Sequence, residues 1–104
     1  MREYELTKQA IKKLKNISKN DPKLGTQIAF SILNLRKDLI KGESLTGFTQ
    51  YKKIRVRHFR IIYKLENEIL LIAIIDKRET VYKTFEHLVN NSDPVKGFGK
   101  IFKV

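Results

Sequence analysis

Apolar residues recur along the first forty positions of the chain at helical spacing. Ala10, Ile11, Leu14 and Ile17 mark one stripe, with Thr7 as its N-cap. Leu24, Ile28, Ile32, Leu35 and Leu39 mark a second, opened by Asp21-Pro22 and closed by Gly42 as a left-handed stop. The pattern predicts a helical hairpin, preceded by a short strand over residues 2–6. Gly25 interrupts the second helix at a cost of about 1 kcal/mol relative to alanine. After a loop at 43–50 the period changes to two, and residues 51–56, 59–65 and 69–75 read as antiparallel strands. The third is apolar on both faces, so it belongs in the middle of the sheet. A short strand at 80–83 and a helical turn at 84–89 follow. Together these form one α+β domain over residues 1–89, a helical hairpin packed on an antiparallel sheet (β-α-α-β-β-β-β plus a short C-terminal helix), with an extension at 90–104.

A length of 104 residues leaves room for one core. The absence of cysteine removes disulfides, thiolate zinc sites, iron–sulfur clusters and thiol nucleophiles, and fits a reducing cytoplasm. The opening MREYELTKQA has no apolar stretch of signal-peptide type, and the apolar run at 69–75 is too short to cross a bilayer, so a cytoplasmic chain with no membrane partner is expected.

Charge changes the picture most. The chain carries 22 Lys and Arg against 11 Asp and Glu, a net +11, which attracts a polyanion, nucleic acid first. Residues 7–41 hold nine basic and two acidic groups spread through helix-like sequence, the arrangement of a solvated helix face. Residues 51–64, YKKIRVRHFRIIYK, hold six basic and no acidic groups at period two, so these charges project from a sheet. With Arg57-His58 as a two-residue turn, Val56 pairs with Phe59, Ile54 with Ile61 and Arg55 with Arg60. Ile54, Val56, Phe59, Ile61 and Tyr63 then form a core face, and Lys53, Arg55, Arg60 and Lys64 a cationic one. Directly opposed arginines are destabilising unless an anion lies between them, and a phosphate group fits that need. The stretch DKRETVYK adds Arg78 and the ring of Tyr82, so that cations for phosphate and a ring for a base come together, the ingredients of RNA binding. Lys52, Arg57, Lys64, Lys77, Lys83 and His87 are further RNA-contact candidates. His58 reads as a turn residue, His87 as a candidate proton donor, and the two histidines alone do not make a metal site. GFGK at 97–100 lacks the spacing of a phosphate loop.

In order and spacing, LTGFTQYKKIRVRHFRIIYKL followed by DKRETVY resembles the RelE/ParE superfamily of bacterial and archaeal toxins, in particular its RelE-like mRNA endonucleases, over about residues 3–88. The resemblance implies a metal- and cofactor-independent endoribonuclease that cuts mRNA on the ribosome. It also implies an acidic antitoxin partner, through which alone operator DNA is met. It assigns Lys53 to a catalytic lysine, Arg60 to the phosphate-stabilising arginine, Arg78 to the arginine near the leaving group, and Tyr82 to the ring that stacks on or orients RNA. Arg55 stands where RelE has a second lysine, the proposed base, and an arginine cannot lose its proton near neutral pH. YoeB-like toxins instead use a glutamate just before the leucine of the Leu-x-Gly segment, the place of Glu43, which leaves Lys53 and Glu43 as alternative bases. The alternatives from other classes are a ParE-like toxin that binds DNA gyrase without catalysis, and a plain RNA- or DNA-binding module in which all cations count about equally.

Overall fold

The computed structural model describes residues 1–91 and 101–103. A sheet in the order β2-β3-β4-β5-β1-β6 carries a helical hairpin on one face and a C-terminal helix on the other. The strands are β1 (Tyr4–Thr7), β2 (Glu43–Leu45), β3 (Phe48–Val56), β4 (Phe59–Glu66), β5 (Ile69–Lys77) and β6 (Ile101–Lys103), and the helices are α1 (Lys8–Asn20), α2 (Pro22–Arg36) and α3 (Val81–Asn91). β1 is parallel to β5, and the other pairings are antiparallel. No helix among the described residues is long and apolar enough to cross a membrane. Of the extension, residues 90–91 continue α3 and 101–103 form β6, while GFGK at 97–100 and the remaining positions lie outside the described residues.

Both expected helix caps are present. The Thr7 hydroxyl accepts from Ala10 N at 3.2 Å and donates to Ala73 O at 2.6 Å, so one side chain starts α1 and ties it to β5. Gln9 then continues the ladder past the end of β1, its amide donating to Ile75 O at 2.8 Å and accepting from Ile75 N at 3.1 Å. Asp21 accepts from Leu24 N at 3.2 Å at the head of α2.

Gly25 is buried where α2 passes α1, and a methyl group added there would lie 2.8 Å from Ser18 Cα. Helix propensity alone favours alanine by about 1 kcal/mol, but overpacking against backbone costs about 1–3 kcal/mol. Gly25→Ala is therefore expected to lower the urea midpoint with an unchanged m-value, and a raised midpoint would contradict this close crossing.

The structure corrects four expectations. First, α2 ends at Arg36, and Asp38 at φ 59° makes the left-handed stop, so Leu39 lies outside the helix and is exposed. Gly42 serves instead to bring the chain against β3. Its N–H donates to the Tyr63 hydroxyl at 2.7 Å, and a Cβ there would run into the Lys53 carbonyl. Second, the 43–50 segment is not a loop but supplies β2 and the start of β3, joined at Thr46-Gly47 with Gly47 at φ 81°. Third, residues 80–83 do not form a strand. Val81 starts α3 because Val81 and Phe85, four apart, both bury on β5, a helical spacing that a short β-branched run conceals. Fourth, the sheet face opposite the hairpin is cationic only toward the β3–β4 turn. Elsewhere Leu45, Tyr51, Ile62, Leu71, Ala73 and Ile74 form a second core beneath α3. A bulge at Ala73 produces part of this, since Ile62 pairs with Ile74 and Tyr63 with Ile72, leaving two successive β5 residues facing α3.

Candidate active site

The predicted register of the basic hairpin is the observed one, with Val56 opposite Phe59, Ile54 opposite Ile61 and Arg55 opposite Arg60. Ile54, Val56, Phe59, Ile61 and Tyr63 pack into the core under the helical hairpin, which leaves Lys53, Arg55 and Arg60 on the other face. The turn between the strands is strained at Arg57, a non-glycine residue at φ 56°. Its carbonyl oxygen accepts from Arg60 Nη1 at 3.3 Å and, at the long limit of 3.4 Å, from Arg55 Nε. Arg60 Nη1 also donates to Phe59 O at 3.0 Å. One oxygen thus gathers two guanidiniums that would otherwise repel, and their remaining N–H groups stay available for an anion.

Glu43 does not approach from a loop edge. It lies on β2 directly opposite Lys53, so both candidate bases occupy one position in the sheet. Glu43, Lys53, Arg55 and Arg60 line a single open cavity of about 430 Å³, together with Lys41. The Lys53 ammonium donates to the Tyr82 hydroxyl at 3.0 Å and sits 5.3 Å from the centre of that ring. This contact joins strand to helix and links the cationic cavity to a neighbouring one of about 320 Å³, which Lys53 and Tyr82 also line.

The position of Tyr82 depends on Asp76, the register partner of Arg60. Its carboxylate accepts from Lys77 N at 2.9 Å, from the Thr80 hydroxyl at 2.9 Å and from the Thr84 hydroxyl at 2.7 Å, and Lys13 Nζ lies 3.5 Å away. Burial alone would push the Asp76 carboxyl up, but the hydrogen bonds from Thr84, Lys77 and Thr80, with the charge of Lys13, outweigh it and hold it below the usual carboxylate range. A carboxylate held low in the fold contributes stability above its ordinary pKa, near 4, and that contribution is lost as the pH falls through the depressed value. The anchoring of α3 is therefore intact at neutral pH.

The remaining predicted residues are dispersed. Arg78 is near the hairpin tip, its N–H donating to His58 O at 3.0 Å, but its guanidinium is exposed and held by Glu79 at 3.2 Å. Lys64 Nζ contacts Glu66 at 2.7 Å and lies 5.4 Å from the Tyr51 ring centre. Lys52 and Lys77 pair with Tyr63 and Phe59, whose side chains enter the hairpin core, so both fall on the opposite face from the cavity. Arg57 and His58 form the turn, and Lys83 and His87 are exposed on α3. Lys41, Asp76 and Glu86, the last lining the smaller cavity with Tyr82, are residues of this region that sequence reasoning missed. Lys41 was counted with the helix charges, and Asp76 sits inside DKRETVYK without a role. Among the described residues no group of three His, Asp or Glu comes together as a metal site would require.

A wider cavity of about 680 Å³ lies at the other end of the strands, by the β4–β5 turn. Its arginines are already engaged, Arg2 with Asp38 at 3.3 Å and Arg36 over the Tyr4 ring at 4.1 Å.

A helical hairpin on this sheet is an architecture shared with solved toxin structures. The toxin in the DinJ–YafQ complex of E. coli superposes with a TM-score of 0.67 at 17% identity, covering 79% of this chain and 99% of that one. The YoeB dimer of Staphylococcus aureus gives 0.65 at 21% identity, covering 74% and 97%. The heterotetrameric YoeB–YefM toxin–antitoxin complex of the same organism gives 0.64 at 21%, covering 75% and 98%. At these identities the likeness establishes the fold. A comparison with curated protein sequences finds no match. The family model for the ParE toxin of type II toxin–antitoxin systems (parDE) matches residues 4–82, and the chain belongs to that family.

Proposed function

We propose that this toxin is a metal-independent endoribonuclease that cuts mRNA, on the ribosome, by attack of a 2′-hydroxyl on the adjacent phosphodiester. The observation that carries this reading is the single cavity in which two converging guanidiniums, Arg55 and Arg60, face Lys53 and Glu43, with Tyr82 hydrogen-bonded to Lys53. A base, Lys53 or Glu43, takes the proton of the 2′-hydroxyl. The freed oxygen attacks phosphorus, and the 5′-oxygen leaves and takes a proton from water, giving a 2′,3′-cyclic phosphate and a 5′-hydroxyl. Arg55 and Arg60 hold the extra negative charge of the transition state, and Arg78, once released from Glu79, joins them near the leaving oxygen. Tyr82 offers a ring face for a base and holds the Lys53 nitrogen through its hydroxyl.

A cognate acidic antitoxin would silence the chain by placing carboxylates on Arg55 and Arg60, a pairing that also speeds association. Operator DNA would be met only through that antitoxin. The family description supports a second reading, a ParE-like toxin that acts on DNA gyrase, in which this face docks a protein and cuts nothing. Induction of the chain in growing cells separates the two. The ribonuclease reading expects mRNA fragments within minutes and no DNA breaks, whereas intact mRNA with accumulating DNA breaks would transfer the assignment to gyrase.

A further inference from the structure

We propose that the smaller cavity is a nucleobase pocket in which the Glu86 carboxylate selects guanine beside the cleaved bond, an inference that rests on the ribonuclease reading above. The cavity holds about 320 Å³, at the low end of the roughly 300–1,000 Å³ of small-molecule sites and suited to one base. Its walls are aromatic. Phe48 and Phe85 meet edge to face at 5.2 Å between ring centres, and Tyr82 closes the side toward Lys53. Glu86 follows Tyr82 by one helical turn, which puts both side chains on the same face of α3.

Among the described residues no ion pair or hydrogen bond engages the Glu86 carboxylate, whereas neighbouring acids are in use, Asp76 with Thr80 and Thr84, Glu79 with Arg78. A free carboxylate beside a cleft for a polyanion works against phosphate binding. Its favourable contribution therefore comes from a ligand group that donates hydrogen bonds. On the Watson–Crick edge, guanine alone presents two parallel donors, N1–H and N2–H, to the two oxygens of a carboxylate. Adenine and cytosine offer one amino group beside an acceptor nitrogen, and uracil one N–H between two carbonyls. Lys53 lines both cavities, so a nucleotide with its base against Glu86 has its phosphodiester among Lys53, Arg55 and Arg60.

The test has two arms. Fluorescence anisotropy with 2′-O-methyl trinucleotides, which cannot be cut, should show guanine-containing probes binding about tenfold more tightly than adenine, cytosine or uracil ones. Glu86→Gln, on an exposed side chain that leaves the fold intact by circular dichroism, should reduce that advantage to less than about threefold, while Arg60→Ala weakens all probes alike. In the second arm, cut sites mapped in a translation extract should be enriched in guanine at one flank for the native chain and not for Glu86→Gln. No guanine preference in the native chain, or an undiminished one in Glu86→Gln, overturns the pocket. Absence of any cutting together with guanine-selective, Glu86-dependent binding would remove the ribonuclease reading and leave the pocket standing.

Discussion

Arg60→Ala should lower single-turnover RNA cleavage by about 10²–10³-fold, the loss associated with removing one preorganised donor to a developing oxyanion. The fold should survive, because this guanidinium donates to the carbonyls of Arg57 and Phe59 at an exposed turn. Arg78→Ala should also cut more slowly. The double variant should fall well short of the product of the two losses, since both groups act on one transition-state charge. Arg78 must first leave Glu79, so its effect should be the smaller. Unfolding of Arg60→Ala by circular dichroism, or cleavage within about threefold of the native rate, would remove Arg60 from the role assigned to it.

The second large effect concerns the general base. Lys53 and Glu43 face each other across β2 and β3, so register alone does not choose between them, but their substitution does. We favour Lys53, whose nitrogen is held at 3.0 Å from the Tyr82 hydroxyl. Lys53→Ala should lower single-turnover cleavage by about 10²–10⁴-fold, the contribution of one positioned base, while Glu43→Gln slows it only mildly. Near-complete loss in Glu43→Gln with mild loss in Lys53→Ala would give the role to Glu43.

How far the sequence could be read follows from how local each signal is. Thr7 and Asp21 cap their helices through atoms three residues away, and the register from Arg55 to Arg60 follows from strict alternation about a two-residue turn. These signals lie within a few positions of one another. What escaped depends on distant partners. Gly42 reads as a helix stop, and only the approach of Lys53 and Tyr63 from the sheet reveals why a side chain is excluded there. The run Thr80-Val81-Tyr82 looks like a strand until Asp76, on the preceding strand, is seen to collect the hydroxyls of Thr80 and Thr84 and begin a helix. The cationic face was legible as a set of residues, but its reach was overstated. The bulge at Ala73 and the landing of α3 decide where apolar cover ends, and alternation does not carry that information. Glu86 carried no signal, because a lone exposed glutamate on an amphipathic helix looks like any other.

The central claim is that cations, in place of a bound metal, carry the chemistry by turning the RNA's own 2′-hydroxyl into the nucleophile. The direct measurement is the chemistry of the cut ends, read by mass spectrometry of a short mRNA segment after one turnover. The account predicts a 2′,3′-cyclic phosphate or the 3′-phosphate derived from it, a 5′-hydroxyl on the downstream fragment, and no cutting when the attacking position carries a 2′-O-methyl group. Fragments with 5′-phosphates and free 3′-hydroxyls, or undiminished cutting of the methylated RNA, would contradict it.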